Sequence, residues 1–189
     1  ANYEYTIDEK YSSREGAVQV KNNIKDLFID NENLLNFLHH ENDFDDLALQ
    51  PLLPFKLSKT GPAVIVVDIN KDELDDIIFG CSKGGSITVY LNNGAGGFLA
   101  IKDNYKFDDD INSIFHNDEK NIFYSINKGF ESDVVSIKKH NLEKNTISTE
   151  ISMILPIKSV GSFARADIHN DRANDYIIGG VAFPTKNPE

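Results

Sequence analysis

The chain is poor in the residues that most often build disulfides and zinc centres. It has one cysteine, Cys81, one methionine and no tryptophan among its 189 residues. A single cysteine excludes a disulfide within the chain and a zinc centre built from several thiolates. Because Cys81 closely follows an apolar run, we expect a small buried side chain rather than a reactive thiol. No apolar run approaches the ~18 residues of a membrane-spanning helix, so no membrane span is expected.

Positively charged residues are also scarce. Lysine and arginine number 19 against 30 aspartates and glutamates, which gives a formal net charge of −11. Nucleic acid is an unfavourable partner for such a surface, because phosphate recognition needs a basic face. The acidic surplus suits a cation, a basic partner or plain solubility. Many of the acids lie together in short loops, so their positions are more informative than their number.

Two segments of the chain, 61–80 and 161–180, share one layout. Each has a glycine, a short apolar run, an acid-rich loop of nine residues, three apolar residues and another glycine. The two loops begin at Asp68 and Asp167, 99 residues apart. Halfway between them, residues 113–125 repeat the apolar, polar-turn, apolar order with a shorter turn. The sequence therefore predicts three repeats of about 50 residues with a degenerate middle one, a length typical of propeller blades.

The apolar runs are short, β-branched and bounded by turn residues, which predicts strands. We expect an all-β fold, a partial β-propeller of about three blades over 51–100, 101–150 and 151–189, the last truncated. Residues 1–50 are expected to be a separate N-terminal segment, either the end of a preceding module or a completing blade. Propellers have about four to eight blades. We therefore expect a portion of a longer protein, or an open arc that self-associates through exposed sheet edges.

The first acidic loop has oxygen-bearing side chains at alternate positions. They are Asp68, Asn70, Asp72 and Asp76, with the Leu74 carbonyl as a natural fifth ligand. Calcium takes six to eight oxygens in flexible geometry, and alternate residues of a tight loop can supply them from one side. Three carboxylates and an amide oxygen suit a hard cation rather than a thiophilic metal. The sequence thus predicts a Ca²⁺ site in this loop.

An EF-hand begins with the same spacing but continues differently. It needs glycine at loop position six and a bidentate glutamate at position twelve, where this chain has Glu73 and Phe79. The flanking runs are also strand-like rather than helical. The loop is therefore expected to close at its ninth residue, between two strands. The alternative is an acidic hairpin turn held by side chain to backbone hydrogen bonds.

The second loop repeats the spacing with different side chains. Its corresponding positions are Asp167, His169, Asp171, Ala173 and Asp175. An imidazole at the second position is a poor ligand for a hard cation, which prefers oxygen. We expect weaker metal binding here than in the first loop, or none.

The loop Asp68-x-Asn70-x-Asp72-x-x-x-Asp76 between strands resembles the pattern Asp-x-Asn-x-Asp-Gly-x-x-Asp of FG-GAP/VCBS repeats. These repeats are found in integrin α-subunit propellers and bacterial surface proteins. Residues 37–188 resemble more closely the repeats of ASPIC/UnbV-containing proteins, akin to the cartilage acidic protein family and common on Bacteroidetes cell surfaces. The resemblance rests on motifs in one order: His40-Glu-Asn-Asp-Phe44, Gln50-Pro-Leu-Leu-Pro54, Ser58, Gly61-Pro62, Asp68-Ile-Asn70 and Gly179-Gly-Val-Ala-Phe-Pro184. It implies calcium in the loops, an extracytoplasmic location and a role in adhesion.

The chain departs from that family at one loop position. The glycine after the third ligand is replaced by Glu73 in the first loop and by Arg172 in the second. This glycine usually takes a left-handed backbone conformation, which costs another residue about 1 kcal/mol.

The best catalytic candidate is the cluster His39, His40, Glu41 and Asp43. Adjacent residues on a strand face opposite sides, so the two histidines are poorly placed to share a metal. The resemblance assigns His40 to a structural motif. The sequence has no nucleophile elbow, phosphate loop or zinc motif, so no enzymatic activity is expected.

Other polar residues are expected to be structural. His116 and His140 are expected in turns without evident partners. The run Asp108-Asp109-Asp110 is expected to form a charged edge, with an ion site as the alternative.

The functional expectation is a non-catalytic, calcium-binding propeller module of a cell-surface or secreted protein. Its partner would be a glycan or another protein, bound for adhesion. The alternative is a scaffold portion of a larger surface enzyme or uptake protein.

Overall fold

The computed structural model describes residues 34–132, 134–171 and 174–180. Interpretations that concern residues 1–33, Arg172, Ala173 and 181–189 lie outside these described residues. The prediction of an all-β fold is confirmed, because the regular structure described consists of strands and one helical turn, α1, at Asp46–Leu49. None of the described helical segments is long and apolar enough to cross a bilayer.

The strands form three antiparallel sheets. The first contains β1 (Val64–Val67), β2 (Asp76–Phe79), β3 (Thr88–Asn92) and β4 (Phe98–Lys102). The second contains β5 (Ile111–Phe115), β6 (Ile122–Asn127), β7 (Val135–Glu143) and β8 (Thr146–Leu155). The third contains β9 (Phe163–Ala166) and β10 (Asp175–Ile178). Each strand pairs with the next in the chain, so every sheet is a simple meander.

This up-and-down order sorts the loops between two ends of the sheets. Loops 68–75, 116–121 and 167–174 join the first two strands of each sheet, and we call their side the hairpin end. Loops 80–87, 103–110 and 156–162, together with the loop after β6, lie at the opposite side. The chain crosses from sheet to sheet there, so we call that side the crossover end.

The sheets pack face to face around two apolar cores. Register places Ile78 opposite Val89, and Val89 opposite Ile101, so these three side chains share the face that meets the second sheet. The core between the first and second sheets contains the buried residues Ile69, Ile78, Cys81, Ile87, Val89, Ile101, Phe107, Ile111, Phe123, Leu142 and Ile147. The core between the second and third sheets contains the buried residues Phe115, Ile126, Val135, Ile137 and Val160.

Cys81 is buried in the first core, as the sequence predicts. Burial raises the pKa of its thiol to about 12, with a further contribution from the negative charges of Asp110 and Asp103. A thiol in that environment stays protonated and unreactive at neutral pH.

The expectation for His140 is wrong: it lies within β7 and is fully buried. Its Nε2 lies 2.8 Å from Ser125 Oγ, and its Nδ1 lies 2.8 Å from Thr149 Oγ1. Thr149 Oγ1 in turn donates to Asp103 Oδ2 at 2.6 Å, which links the second sheet to the first. Burial, and secondarily the charge of Lys138, lowers the pKa of His140 to about 3, so its ring is neutral.

His116 does lie in a turn, the loop between β5 and β6, but it is not without a partner. Its Nε2 lies 3.0 Å from the Glu119 carbonyl oxygen. The charged-edge interpretation of the acidic run is wrong for two of its three residues, because Asp109 and Asp110 are buried. Their carboxylates turn inward because the loop after β6 offers them donors.

That loop is organised by the two buried carboxylates. Asp109 Oδ2 accepts hydrogen bonds from Asn127 Nδ2 and Ser132 Oγ, both at 2.9 Å, and from the Gly129 N–H. Asp110 Oδ2 lies 3.2 Å from Lys128 Nζ. Buried carboxylates satisfied in this way are structural.

Residues 34–60 pack against the sheets rather than extending away from them. Phe37 stacks on Phe79 with ring centroids 4.0 Å apart, and Tyr90 Oη donates to the Asn36 carbonyl at 2.9 Å. This segment therefore covers part of the face of the first sheet that points away from the second sheet.

A buried aspartate in α1 closes the turn that follows. The Asp46 carboxylate accepts the N–H groups of Leu57 and Ser58 and the Ser58 hydroxyl. The proline-containing stretch between them is thereby fixed as a loop with both of its ends held together.

Candidate metal sites

The first acidic loop lies at the hairpin end, between β1 and β2, and is held by its own aspartates. Asp68 accepts the N–H of Asp72 at 3.0 Å and that of Glu73 at 2.8 Å. Asp72 Oδ1 accepts the N–H of Leu74 at 3.0 Å. Short polar side chains that bond to nearby backbone N–H groups fix such turns locally. The backbone therefore curls around the carboxylates that the sequence singles out.

Asp76 ends the loop and starts β2. It is fully buried, and its carboxylate accepts the N–H of Ile69 at 3.1 Å and that of Asn92 at 2.8 Å. Burial raises the pKa of Asp76, the two N–H bonds oppose that rise, and the negative charges of Asp72 and Asp68 add to it. The negative charges of Asp68 and Asp72 thus act against ionised Asp76, and a bound cation would relieve that repulsion.

Asn70 presents an oxygen that accepts no hydrogen bond from the part of the chain that the structure describes. Its Nδ2 donates to Asp72 Oδ2 at 2.9 Å, while its Oδ1 is buried and accepts no hydrogen bond. Buried acceptors are nearly always paired with a donor or an ion. This oxygen is the second ligand position that the sequence predicts.

The backbone of the loop is left-handed at two non-glycine residues, Lys71 (φ 61°) and Glu73 (φ 70°). Glu73 stands where the FG-GAP/VCBS pattern has glycine. The left-handed conformation that the resemblance implies is found at this position. The conformation aims the Glu73 N–H at Asp68. Desolvation works against ionisation of Asp68, but this N–H and that of Asp72 outweigh it and lower its pKa.

The second loop makes the same backbone hydrogen bonds 99 residues later. The Asp171 N–H donates to Asp167 Oδ1 at 3.0 Å, and the Ile168 N–H donates to Asp175 Oδ2 at 2.9 Å. Asn170 has φ 55° at the place that Lys71 occupies in the first loop. The two loops therefore share their local geometry although their side chains differ. Ala173, the predicted carbonyl ligand, lies outside the described residues.

His169 changes the chemistry of the second loop. Its Nδ1 lies 3.0 Å from Asp175 Oδ2, and its side chain is 75% exposed. The Ile168 N–H, and then the His169 ring, lower the pKa of Asp175. The imidazole thus adds a third contact to Asp175 Oδ2, which already accepts the N–H groups of Ile168 and His169.

The middle hairpin loop, 116–121, has no ligand set and joins its neighbours instead. Lys71 Nζ lies 2.7 Å from Asp118 Oδ1, and the Asn121 N–H donates to the Ile69 carbonyl at 2.7 Å. On its other side, Arg165 Nη1 donates to the His116 carbonyl and, at 2.7 Å, to Asn117 Oδ1. The middle loop is therefore tied to the first hairpin loop on one side and to β9 on the other.

The predicted ligands are brought together in one loop, but they are turned toward backbone donors. Within the described part of the chain, no three His, Cys, Asp or Glu side chains gather as they do around a bound metal ion. The N–H bonds of Asp68 and Asp76 account for this arrangement. Each carboxylate oxygen has a second lone pair, so these bonds do not exhaust the capacity of the loop to bind a cation.

The catalytic candidate of the sequence lies at the crossover end, in irregular structure. His39 Nε2 is 2.7 Å from Glu41 Oε1, and the His40 carbonyl accepts a hydrogen bond from Ser82 Oγ. Exposed Asp43 follows two residues after Glu41. His39 and Glu41 are thus already paired with each other, and His40 is anchored to the first sheet by its backbone.

Comparison of the chain with protein-family models, with curated proteins and with solved structures found no match. The resemblance to FG-GAP/VCBS repeats therefore rests on the residues quoted for it and remains a prediction.

Proposed function

We propose that the protein is a calcium-binding module and that the first hairpin loop holds the ion. The observation that carries this proposal is Asn70 Oδ1, a buried oxygen that accepts no hydrogen bond from the described residues. It belongs to the loop in which the charges of Asp68 and Asp72 act against ionised Asp76. These residues and the Leu74 carbonyl would hold the ion, whose remaining ligands would be water. A cation there would neutralise the carboxylates and brace β1 against β2.

The competing interpretation is an acidic hairpin turn that needs no metal. The backbone N–H bonds of Asp68 and Asp76 support it, because they already fix the loop. The two interpretations differ in the fate of Asn70 Oδ1, which the turn alone leaves unsatisfied. In the second loop the His169–Asp175 contact favours the metal-free turn.

A wider role is part of the same proposal. Three meander sheets packed face to face, with equivalent loops at one end, fit an arc of a β-propeller built from FG-GAP/VCBS-type blades. Such a module would act without catalysis on a cell-surface or secreted protein, in adhesion to a glycan or a protein. The alternative is a scaffold within a larger surface enzyme or uptake protein. Open sheet edges support the further expectation of self-association.

The calcium proposal is tested by thermal unfolding in calcium, magnesium or chelator. A ligand that binds only the folded state adds about 2.7 kcal/mol at a hundredfold excess over its dissociation constant. We expect a calcium-dependent rise in Tm for the wild type that is clearly smaller in Asp72→Ala. The matched control is Asp75→Asn, an exposed acid of the same loop outside the ligand set, which should keep the rise.

If Tm does not change at millimolar calcium, the acidic loops are hairpin turns that need no metal. A rise of equal size in the wild type and in Asp72→Ala would place the ion elsewhere. Screening the purified chain on a glycan array separates adhesion from a scaffold role, since a scaffold would bind no glycan.

A further inference from the structure

A second group of unsatisfied oxygens lies at the crossover end, away from the hairpin loops. Asn42 Nδ2 donates to Glu131 Oε2 at 2.7 Å, which joins two segments 89 residues apart. Among the described residues, Glu131 Oε1, Asn42 Oδ1 and Oε2 of the adjacent Glu41 are buried and accept no hydrogen bond. All three are acceptors, so none can satisfy another while both carboxylates are ionised.

Glu131 is the most constrained member of this group. Its side chain is 0% exposed, and the ammonium of Lys83 lies 3.7 Å from Oε2, the oxygen that Asn42 already contacts. Oε1 has no such neighbour. The other oxygen of Glu41, Oε1, lies 2.7 Å from His39 Nε2. Each glutamate is therefore bonded through one oxygen and unsatisfied at the other.

The surrounding carboxylates do not share this deficit. Asp110 contacts Lys128 Nζ at 3.2 Å and the Lys83 N–H at 3.1 Å, and Asp109 is surrounded by donors. Burial raises the pKa of Glu131, and the negative charges of Asp110 and Asp109 add to that rise. A buried acceptor without a donor destabilises the folded protein, and more so when the acceptor is charged. Within this cluster, the buried oxygens that accept no hydrogen bond from the described residues belong to Glu41, Asn42 and Glu131.

We propose that Glu41, Asn42 and Glu131 form a second cation site, at the crossover end, for a divalent ion that prefers oxygen ligands. Two carboxylates and one amide oxygen are the ligand types of calcium and magnesium, with water filling the remaining positions. The negative charge of the cluster disfavours an anion. The site uses no residue of the hairpin loops, so it does not depend on the function proposed above.

Such an ion would clamp the segment 36–44 onto the second sheet. Asn42 contacts Glu131 directly, and Phe44 packs edge-on against Phe130 at 6.0 Å. A cation shared by Glu41 and Glu131 would strengthen the same junction. Hydrogen exchange in residues 36–44 should therefore slow when the ion binds.

The test uses the full chain carrying Asp72→Ala and Asp171→Ala, which removes the loop ligands. Calorimetric titration with calcium and with magnesium should still show one bound ion. That ion should be lost when Glu131→Gln is added, and at least tenfold weakened by Glu41→Gln. The matched control is Asp43→Asn, an exposed acid of the same segment, which should bind as the parent does.

The melting temperature separates ion binding from a structural role. Glu131→Gln removes a buried charge with little change in shape, so in chelator its Tm should equal or exceed that of the parent. In calcium or magnesium the parent should gain stability and the variant should not. A purely structural glutamate would instead lower Tm equally with and without the ion.

Crystals soaked in manganese supply an independent readout. An anomalous peak beside Glu131 Oε1 and Glu41 Oε2 would support the site, whereas an ordered water alone in that place would overturn it. So would a parent chain that binds no ion, or one whose binding is unaffected by Glu131→Gln. If the wild type and Asp72→Ala show the same rise in Tm with calcium, the proposed calcium loop is wrong. The site at the crossover end is still tested separately, by the effect of Glu131→Gln.

Discussion

Replacing Glu73 with glycine should stabilise the protein, because Glu73 is held at φ 70°. A residue with a side chain pays about 1–2 kcal/mol for the left-handed region. Glycine avoids that cost but adds about 0.4–1 kcal/mol of conformational entropy to the unfolded chain. The net gain for Glu73→Gly should therefore be about 0.5–1 kcal/mol.

Urea unfolding of the wild type, Glu73→Gly and Glu73→Ala measures this gain. The alanine variant removes the same negative charge from the acidic loop and keeps the strained backbone, so it isolates the conformational term. We expect the glycine variant to exceed the alanine variant by about 0.5–1 kcal/mol. In a chain of this size, a gain of about 1 kcal/mol corresponds to roughly 2–4 °C in Tm.

Equal stability of the two variants would refute the argument. It would mean that the loop does not hold Glu73 in the left-handed region, and that its N–H is not aimed at Asp68 as described. The calcium loop would then lose the backbone geometry on which its ligand arrangement depends.

Two further predictions concern buried polar groups. The pKa of His140 is lowered from its ordinary 6.5 to about 3. Between these two pH values the unfolded chain binds a proton that the folded chain does not. The free energy of unfolding should therefore fall as pH drops from about 6.5 toward 3. Acid titration of Tm should show a smaller fall for His140→Gln; an unchanged fall would contradict this assignment. Asp46→Ala should cost about 3 kcal/mol in urea unfolding, because it leaves the Leu57 and Ser58 N–H groups without acceptors. The exposed neighbour variant Asp45→Ala should cost about 1 kcal/mol, the value of a helix cap, and an equal loss in both would count against the buried network.

The strands that sequence reasoning finds most easily are those with β-branched runs. Val64–Val67 and Asp76–Phe79 alternate or cluster apolar residues between turn signals, and the acidic loop between them has a recognisable spacing. Even the left-handed residue Glu73 could be anticipated from the glycine that the resemblance implies there. Local physics determines these features, so a local pattern reveals them.

The features that were missed depend on distant partners. In β7, His140 is buried although it is polar, because Ser125 and Thr149 on neighbouring strands pair with its imidazole. Nothing in the sequence around His140 shows those partners. The same holds for Glu131, whose contact with Asn42 spans 89 residues. Side chains of this kind become identifiable only after the sheets have stacked.

The three hairpin-end loops differ in how each manages its negative charge. In the second loop, His169 contacts Asp175 and can supply a positive charge when protonated. The middle loop has no ligand set, and its Asp118 takes the ammonium of Lys71 from the first loop. The first loop therefore directs the ammonium of Lys71 to a neighbour, although the charge of Lys71 still helps to lower the pKa of Asp68. Among these loops it has the most to gain from binding a metal ion, so a calcium response should begin there.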